Sequence, residues 1–361
     1  MTSPTSAEDP ARQATDLPPS RRYIPGRAFR NFTANGVMDY AASLSFRALL
    51  SIVPAVVALV AIVSMLGSSE EAVTNMVEEV RKVTPDDAWA TVGPLLDRIL
   101  SVPSAGLGLG VGLVIMLWTA SGYVRTFSRA MNAIYGVEEG RGIFKWNIHM
   151  YLLTIFLLVL AAIGVIAFSL STPVAEWLGG LVGLANTTLQ LWEVVRWVVI
   201  VVVIVLFVGL LYRATPNIRP HGMRWFSAGA TVAIIGVGAL STVFFFYVAN
   251  FGNYDATYGT LASVIIAMLW VYLVNIMLLV GAVLDCEIER VRQLRSGLPA
   301  EEMLQLEARD TAASDKLEDQ MARDVERSRE VRVAASEGEG EDETVEVGDP
   351  ETPDEKADQR A

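Results

Sequence analysis

The chain has 361 residues, of which 52% are hydrophobic and 19% are charged, and its formal net charge at pH 7 is −12. Because the mean hydropathy is +0.41 and the apolar residues are concentrated in long runs, the composition excludes an ordinary soluble globular protein. The single cysteine, Cys286, excludes an internal disulfide framework and a thiolate metal cage.

Six apolar runs separated by charged connectors predict membrane-spanning helices. The runs cover residues 43–66, 106–123, 148–170, 194–212, 226–249 and 258–285. At a rise of 1.5 Å per residue, about 20 residues cross a hydrocarbon core of roughly 30 Å. We therefore predict an all-α, polytopic fold with six transmembrane helices in residues 27–296. A disordered polar N-terminal tail, residues 1–26, precedes this domain.

The negative charge belongs to the C-terminal tail. Residues 301–361 contain 21 acids and 8 bases, which leaves 19 acids and 20 bases for the rest of the chain. Weak helical spacing predicts an exposed helix within residues 301–333, and the composition beyond Ala335 cannot bury enough surface to become ordered. We predict that residues 297–361 form an acidic, largely disordered tail, which is either a solvated extension or a docking segment for a protein partner.

The basic residues of the connectors predict the orientation in the membrane. Lys and Arg occur before the first span, in the second and fourth connectors and after the last span, whereas residues 171–192 and 250–257 contain neither. Because Lys and Arg are retained on the cytoplasmic side, both termini are predicted to be cytoplasmic. The N-terminus lacks the apolar core of a cleavable signal, so the first span is expected to act as an uncleaved anchor.

The first external connector, residues 67–105, has a helical pattern. Ser68 and Glu71 form a possible capping box, and Thr84-Pro85 starts a second helix. Apolar residues then recur at helical spacing, namely Val73, Met76 or Val77, Val80 and Val83 in the first segment and Trp89, Val92, Leu96 and Ile99 in the second. Two amphipathic helices are predicted. They lie on the outer leaflet, cover a cavity as a lid, or present a solvated face on a packed loop.

Polar residues inside the spans are candidates for a substrate path, because ionisable groups at membrane depth are expensive. Arg47 lies near the start of the first span, before Pro54, which is expected to kink that helix. Snorkelling or a structural ion pair is the alternative for Arg47. Asn275 is expected to hydrogen-bond a neighbouring helix. Asp285, with Glu287, either pairs with Arg47 or faces water.

Small residues in the second span form two overlapping stripes at a spacing of four. They are Gly106, Gly108, Gly110 and Gly112. Such stripes let helix backbones approach closely, which favours a packing seam, and a Gly-rich helix is also suited to act as a hinge.

Motifs for enzyme chemistry are missing from the sequence. The two histidines, His149 and His221, lie far apart, and there is no HExxH, P-loop or GxSxG pattern. We therefore predict a protein that is not an enzyme, with no cofactor, no metal site, no catalytic residues and no nucleic-acid partner.

Several blocks of the sequence resemble the YihY/BrkB family of bacterial inner-membrane proteins. They are AASLSFRALLSIVP at 41–54, WTASGYVRTFSRAMNAIYG at 118–136, YRATPN at 212–217, Trp225 with Gly229-Ala230, YDATYG at 254–259 and LWVY at 269–272 followed by Gly281-Ala282. The resemblance covers about residues 30–290. One departure is Val283, where the family usually has Glu, with acids displaced to Asp285 and Glu287.

The resemblance implies a six-helix protein of the bacterial plasma membrane with cytoplasmic termini, together with the family label ribonuclease BN. A ribonuclease needs acid and base groups or metal-binding acids at one accessible site, and the acids of this sequence do not cluster. We favour a transporter or flippase-like carrier of a lipidic or amphiphilic substrate, with membrane lipids as partners and an anionic lipid as one candidate cargo. A non-catalytic membrane scaffold is the alternative, and a tRNA-processing ribonuclease ranks third. The sequence does not define an oligomeric state.

Overall fold

A computed structural model describes the backbone of residues 23–65, 78, 81, 105–169, 185–219, 227–251 and 262–342. Side chains are described for residues 23–51, 78, 81, 114–164, 167, 194–219, 227–250 and 264–336. Over these ranges the fold is all-helical, without a β-strand. The helices are α1 (Tyr23–Ala34), α2 (Val37–Met65), α3 (Ala105–Tyr135), α4 (Ile143–Ser169), α5 (Ala185–Ala214), α6 (Ala228–Phe251), α7 (Ala262–Arg295) and α8 (Ala312–Asp342).

The described part of each predicted span lies in one helix, from α2 to α7, except that Ser227 precedes the first residue of α6. Within the described residues, four segments are long and apolar enough to cross a membrane, namely Ile143–Gly164, Val194–Ala214, Ala228–Asn250 and Val264–Arg295. The all-helical, polytopic class is confirmed at this level, and the count of six spans stays a prediction. The two amphipathic helices predicted for residues 67–105 lie outside the described residues, apart from two helical positions, Glu78 and Arg81.

The helices pack tightly at one end of the bundle, which we call the basic end. This end carries α1, the C-terminal halves of α3 and α7 and the end of α5. Phe127 of α3 is fully buried there and stacks between Tyr123 and Tyr212, with ring centroids 6.4 Å and 6.2 Å away. Leu44 of α2 and Leu279 of α7 are also fully buried. Since the outer faces of α4 to α7 expose many Val, Ile and Phe residues, the apolar surface there is suited to lipid.

Helices α6 and α7 cross at glycines that leave no space for a side chain. A Cβ atom on Gly281 would lie 2.6 Å from Tyr212 Oη and 2.7 Å from Ala233 Cβ. A Cβ atom on Gly229 would overlap the carbonyl oxygen of Gly281. Backbone contact between small residues is a common basis of helix association in membranes, where the hydrophobic effect between helices is absent.

The chain turns sharply at two glycines in the left-handed region. Gly36 has φ of 60° and separates α1 from α2, and its carbonyl accepts from Asp39 N at 3.0 Å and Tyr40 N at 3.2 Å. Gly297 has φ of 79° and ends α7, where Leu298 N donates to Gln293 O at 3.0 Å. Other residues adopt this conformation at a cost, so both glycines fix where the chain reverses.

Residues 298–311, which we call the strap, return across the basic end after α7. Gln293 and Gln305 bond each other through side chain and backbone, with Gln293 Oε1 accepting from Gln305 N at 2.9 Å. Arg309 Nε donates to Ile218 O at 2.7 Å, and Asn217 Nδ2 donates to Asp310 O at 2.9 Å. The strap therefore ties the end of α7 to the segment that follows α5.

This packing moves the boundary of the helical unit beyond residue 296, where the composition placed it. The compact unit extends to Thr311 and a second unit begins at Ala312. The sequence does not indicate this boundary, because hydrogen bonds to backbone groups hold the strap in place. Such bonds require no periodic pattern of apolar residues in the sequence. The pKa of Arg309 is lowered by burial and by the nearby Arg141 and Arg213.

The second unit, considered by itself, contains α8. This helix overlaps the segment 301–333 in which the sequence shows helical spacing, and it runs from Ala312 to Asp342. Its described side chains are almost all exposed, including Leu317, Met321 and Val325, which repeat every four residues. The predicted disordered remainder, residues 343–361, lies outside the described residues.

We expect Gly229→Ala to destabilise the bundle by about 1–3 kcal/mol or more, because overpacking forces the α6 and α7 backbones apart. Gly238→Ala is the matched control, since it lies in the same helix and a Cβ atom there meets no atom within 4 Å. Thermal unfolding of both variants in detergent measures the difference. Equal midpoints for the two variants would contradict the described crossing.

Candidate functional site

A cleft of about 380 Å³ lies at the basic end, between the α1–α2 turn and α3. It is lined by Asn35, Gly36, Asp39, Tyr40, Ser43, Arg47, Thr126 and Arg129. The residues Asp39, Ser43 and Arg47 follow one another at a spacing of four along α2, so they share one face of that helix. The cleft therefore brings together Arg47, which the sequence singled out, and a group of polar residues that it did not.

Arg47 extends across the gap from α2 to α3 and lies against Gly122. A Cβ atom on Gly122 would be only 2.8 Å from Arg47 Nη1, so the glycine makes room for the guanidinium. Gly122 is buried, whereas Arg47 is partly exposed on the cleft side. The side chain is thus positioned by a close approach to a neighbouring helix.

Two further arginines lie within electrostatic range of this guanidinium. Arg125 and Arg129 of α3 both interact electrostatically with Arg47. Arg125 Nη1 donates to Asn147 Oδ1 at 3.1 Å and its guanidinium lies 5.4 Å from the centre of the Tyr151 ring. Arg129 lies 6.0 Å from the ring centre of Trp146. Helix α4 therefore supports both arginines, and Asp39 is the only acid among the residues that line the cleft.

The two helices that form the cleft continue as exposed apolar surface. On α2, Leu50 follows Arg47 by three residues and is 53% exposed. On α3, Trp118 precedes Gly122 by four residues and is 63% exposed. Residues three or four apart share a helix face, so these exposed apolar side chains lie one helical turn from Arg47 and Gly122. This arrangement is complementary to an amphiphile with an anionic headgroup.

Asn275 lies deep in the bundle and uses its amide to join three helices. Its Oδ1 accepts from Tyr123 Oη of α3 at 2.8 Å, and its Nδ2 donates to Ser45 Oγ of α2 at 3.2 Å and to Val271 O at 2.9 Å. The side chain is 2% exposed and does not line the cleft. These contacts agree with the expectation that Asn275 bonds a neighbouring helix.

Asp285 caps the start of α6. Its Oδ1 accepts from Gly229 N at 2.6 Å, and Ser227 and Ala230 N also hydrogen-bond to the carboxylate. A negative charge is favourable beside the free N–H groups and positive dipole at a helix N-terminus. Asp285 therefore neither pairs with Arg47 nor lines the cleft.

Glu287 is the centre of a buried ionic cluster and likewise does not meet Arg47. It is 1% exposed and lies 3.2 Å from Arg27 Nε and 3.2 Å from Arg290 Nε. Asn31 Nδ2 donates to it at 2.9 Å, and Asn35 in turn donates to Asn31 Oδ1 at 2.6 Å. Arg290 also donates to Ala300 O at 2.7 Å, and Arg27 to Glu301 O at 2.6 Å.

This cluster links α1, α7 and the strap, and through Asn35 it reaches the cleft. Val283, the departure from the family pattern, lies one helical turn before Glu287 and is 2% exposed. The spacing of three between Glu287 and Arg290 is a sequence signal from which their pair could have been predicted. The contribution of Arg27 had no sequence signal, because it depends on how α1 folds back on α7.

For the remaining candidates, Pro54 and the four glycines of α3, the structure describes only the helical backbone. Helix α2 continues through Pro54, and Gly106, Gly108, Gly110 and Gly112 lie in the first turns of α3. Their side-chain surroundings are outside the described residues. In the described part of the chain, no group of three or more His, Cys, Asp or Glu residues is placed to hold a metal ion. His149 Nε2 lies 3.0 Å from Ala214 O, and His221 is outside the described residues.

A family described as virulence factor BrkB matches residues 28–304, which include the cleft, the Glu287 cluster and the first part of the strap. The chain belongs to this family. The ribonuclease-like protein YfkH of Bacillus subtilis is 29% identical over 273 residues, which cover 76% of this chain and 96% of that protein. No solved structure is significantly similar to the chain.

Two further family relatives carry the name UPF0761 membrane protein. The protein of Mannheimia succiniciproducens is 26% identical over 271 residues, which cover 74% of this chain and 89% of that protein. The protein of Laribacter hongkongensis is 25% identical over 277 residues, which cover 75% of this chain and 63% of that protein. The described helices and these relatives together identify a membrane protein of the BrkB family.

We expect Glu287→Gln to destabilise the protein by about 3–5 kcal/mol, because it leaves the buried Arg290 and the partly buried Arg27 without their shared counter-charge. The matched control is Glu289→Gln, whose partner Arg292 has a side chain that is 63% exposed. That pair is worth at most about 1 kcal/mol. Thermal unfolding in detergent compares the two variants, and a wild-type midpoint for Glu287→Gln would rule out the cluster as a stabilising element.

Proposed function

We propose that this BrkB-family protein is a carrier in the bacterial plasma membrane that moves a lipidic amphiphile with an anionic headgroup. The cleft at the basic end is the entry site for the headgroup, and the seam between α2 and α3 accommodates the apolar part. The observation that supports this proposal is that exposed Leu50 and Trp118 lie one helical turn from Arg47 and from Gly122, the glycine that Arg47 packs against.

The electrostatics of the cleft favour an anion. Arg47 is repelled by Arg125 and Arg129, and only one carboxylate, Asp39, lines the cleft. An anionic ligand would therefore lower the electrostatic free energy of the site. A guanidinium also presents several N–H donors in a planar fork that fits carboxylate and phosphate oxygens. Arg47 is thus assigned the role of headgroup contact.

The other polar candidates have different roles in this proposal. Asn275 and Asp285 hold helices together, because their polar groups are already bonded within the bundle. The proposed orientation places both termini and the cleft in or beside the cytoplasm, according to the distribution of Lys and Arg in the connectors. The headgroup would then enter from the inner leaflet.

An enzymatic role is not part of this proposal. The word ribonuclease occurs in the name of the Bacillus relative, and ribonuclease chemistry needs acid and base groups or metal-binding acids close together. Among the described acids at the basic end, Glu287 is instead bonded to arginines and Asp285 to a backbone N–H group. Purified protein that cuts RNA through a mutable residue would revive the enzymatic alternative.

We expect gently purified protein to retain a specific anionic amphiphile, and Arg47→Ala to lose it, because the headgroup would lose a central cationic contact. Mass spectrometry of co-purified lipids measures this, with an unrelated six-span protein from the same membranes as the reference. Arg292→Ala is a matched control, since this arginine lies at the same end but outside the cleft. A lipid profile equal to that of the reference would oppose the carrier function.

A scaffold is the second candidate, and the exposed row Leu317, Met321 and Val325 on α8 supports it as a partner-binding surface. Deletion of residues 312–361 distinguishes the two functions, because it removes this helix and leaves the strap in place. A carrier is expected to keep its envelope phenotype in a complementation assay after this deletion. Loss of complementation by a stably inserted, truncated protein would favour the scaffold. A deletion that begins at Glu301 would be uninformative, because it also removes the strap.

A further inference from the structure

We infer that the headgroup bound in the cleft is a phosphomonoester, so that the substrate is a lipid of the phosphatidic acid type. This inference rests on the proposed carrier function and specifies its substrate class. It also assigns Gly122 as the residue that positions Arg47 for this headgroup.

The charges around the cleft carry the argument. Arg47 and Arg129 line it, Arg125 lies within electrostatic range, and Asp39 contributes one negative charge, so the four groups together have a net charge of about +2 at neutral pH. A phosphomonoester carries about −1.5 to −2 at pH 7 and three strong acceptor oxygens. A phosphodiester or a carboxylate carries a single negative charge. The phosphomonoester therefore matches the charge of the cleft most closely.

The lining side chains also fit the oxygens of a phosphate. Arg47 comes from α2 and Arg129 from α3, so they approach from opposite walls of the cleft. Tyr40 and Ser43 add hydroxyl groups from α2. Guanidinium groups on two walls bond different oxygens of one tetrahedral phosphate more readily than the two coplanar oxygens of a carboxylate.

Gly122 determines where the guanidinium of Arg47 lies. A methyl group at this position would come within 2.8 Å of Arg47 Nη1, which is the far end of a flexible side chain. The guanidinium can move away at little cost to the fold. Gly122→Ala thus changes the geometry of the cationic site while it keeps every charge, which separates positioning from net charge.

The test measures the affinity of the full-length protein for phosphatidic acid and phosphatidylglycerol with identical acyl chains, in nanodiscs at pH 7.5 and fixed ionic strength. We expect wild-type protein to prefer phosphatidic acid by about tenfold, as one additional charge-assisted hydrogen bond would produce. Arg47→Gln and Arg129→Gln should abolish the preference, and Arg292→Gln should keep it. Gly122→Ala should reduce the preference without a change in the thermal unfolding midpoint.

The other possible results show whether the substrate assignment, the carrier proposal or the role of Gly122 is wrong. Equal affinity for the two lipids, still dependent on Arg47, would overturn the phosphomonoester assignment and leave the carrier proposal intact. Binding that none of the cleft variants changes would overturn both. Glycerol 3-phosphate serves as a soluble competitor: if it binds as tightly as phosphatidic acid, the ligand is a free phosphomonoester and the lipid assignment is wrong. Wild-type preference in Gly122→Ala would remove the positioning role of Gly122.

Discussion

Glu287 is the carboxylate on which the packing of the basic end depends. It is 1% exposed and forms ion pairs with Arg27 of α1 and Arg290 of α7, while Asn31 donates a further hydrogen bond to it. The same two arginines bind carbonyl groups of the strap. A hydrocarbon environment offers no hydrogen-bond partners, so polar groups near the membrane must be satisfied by the protein. One buried acid therefore fixes the positions of α1, α7 and the strap relative to one another.

The Arg47 cleft is a stronger functional candidate than the other polar positions, because the polar groups at those positions are already bonded within the protein. Asn275 and Asp285 bond donors or acceptors inside the bundle and thereby join helices. Arg47 instead lies against a glycine, near two other arginines, in a cleft that continues as apolar surface. The Glu287 cluster also supports this cleft, because Asn31 connects Glu287 to Asn35 in the cleft wall. Stability and the proposed binding site thus share one network.

The sequence predicts the helices well, because long apolar runs and basic connectors are local signals. It also nominates Arg47 and the bonding role of Asn275, since charged and amide groups within apolar runs are conspicuous. It does not predict Gly122 or Arg129 as part of the cleft, because a lone glycine resembles a packing residue and a basic connector residue is already explained by topology. The strap is missed for a different reason. Its contacts join Arg309, Gln305 and Asp310 to backbone groups far away in the chain, and such contacts have no periodic pattern.

The local sequence predicts the orientation of the chain in the membrane, but it does not predict which charged residues form ion pairs. The distribution of Lys and Arg predicts which side of the membrane each connector faces, whereas it does not reveal that Glu287 takes Arg27 as a partner over Arg47. That choice depends on the turn at Gly36, which brings α1 back beside α7. The family relationship extends from residue 28 to residue 304 and so includes α1 from Ala28 onward and the first part of the strap.

Movement of an anionic lipid through the Arg47 cleft would appear as lipid exchange between the two leaflets of a membrane. Purified protein would be reconstituted into liposomes that contain a fluorescent phosphatidic acid analogue, and the fraction of probe accessible to a membrane-impermeant quencher would be followed over time. The account predicts that wild-type protein accelerates exchange over protein-free liposomes and that Arg47→Ala abolishes the acceleration in equally well-folded protein. Equal exchange by wild type and Arg47→Ala, or none by either, would contradict it.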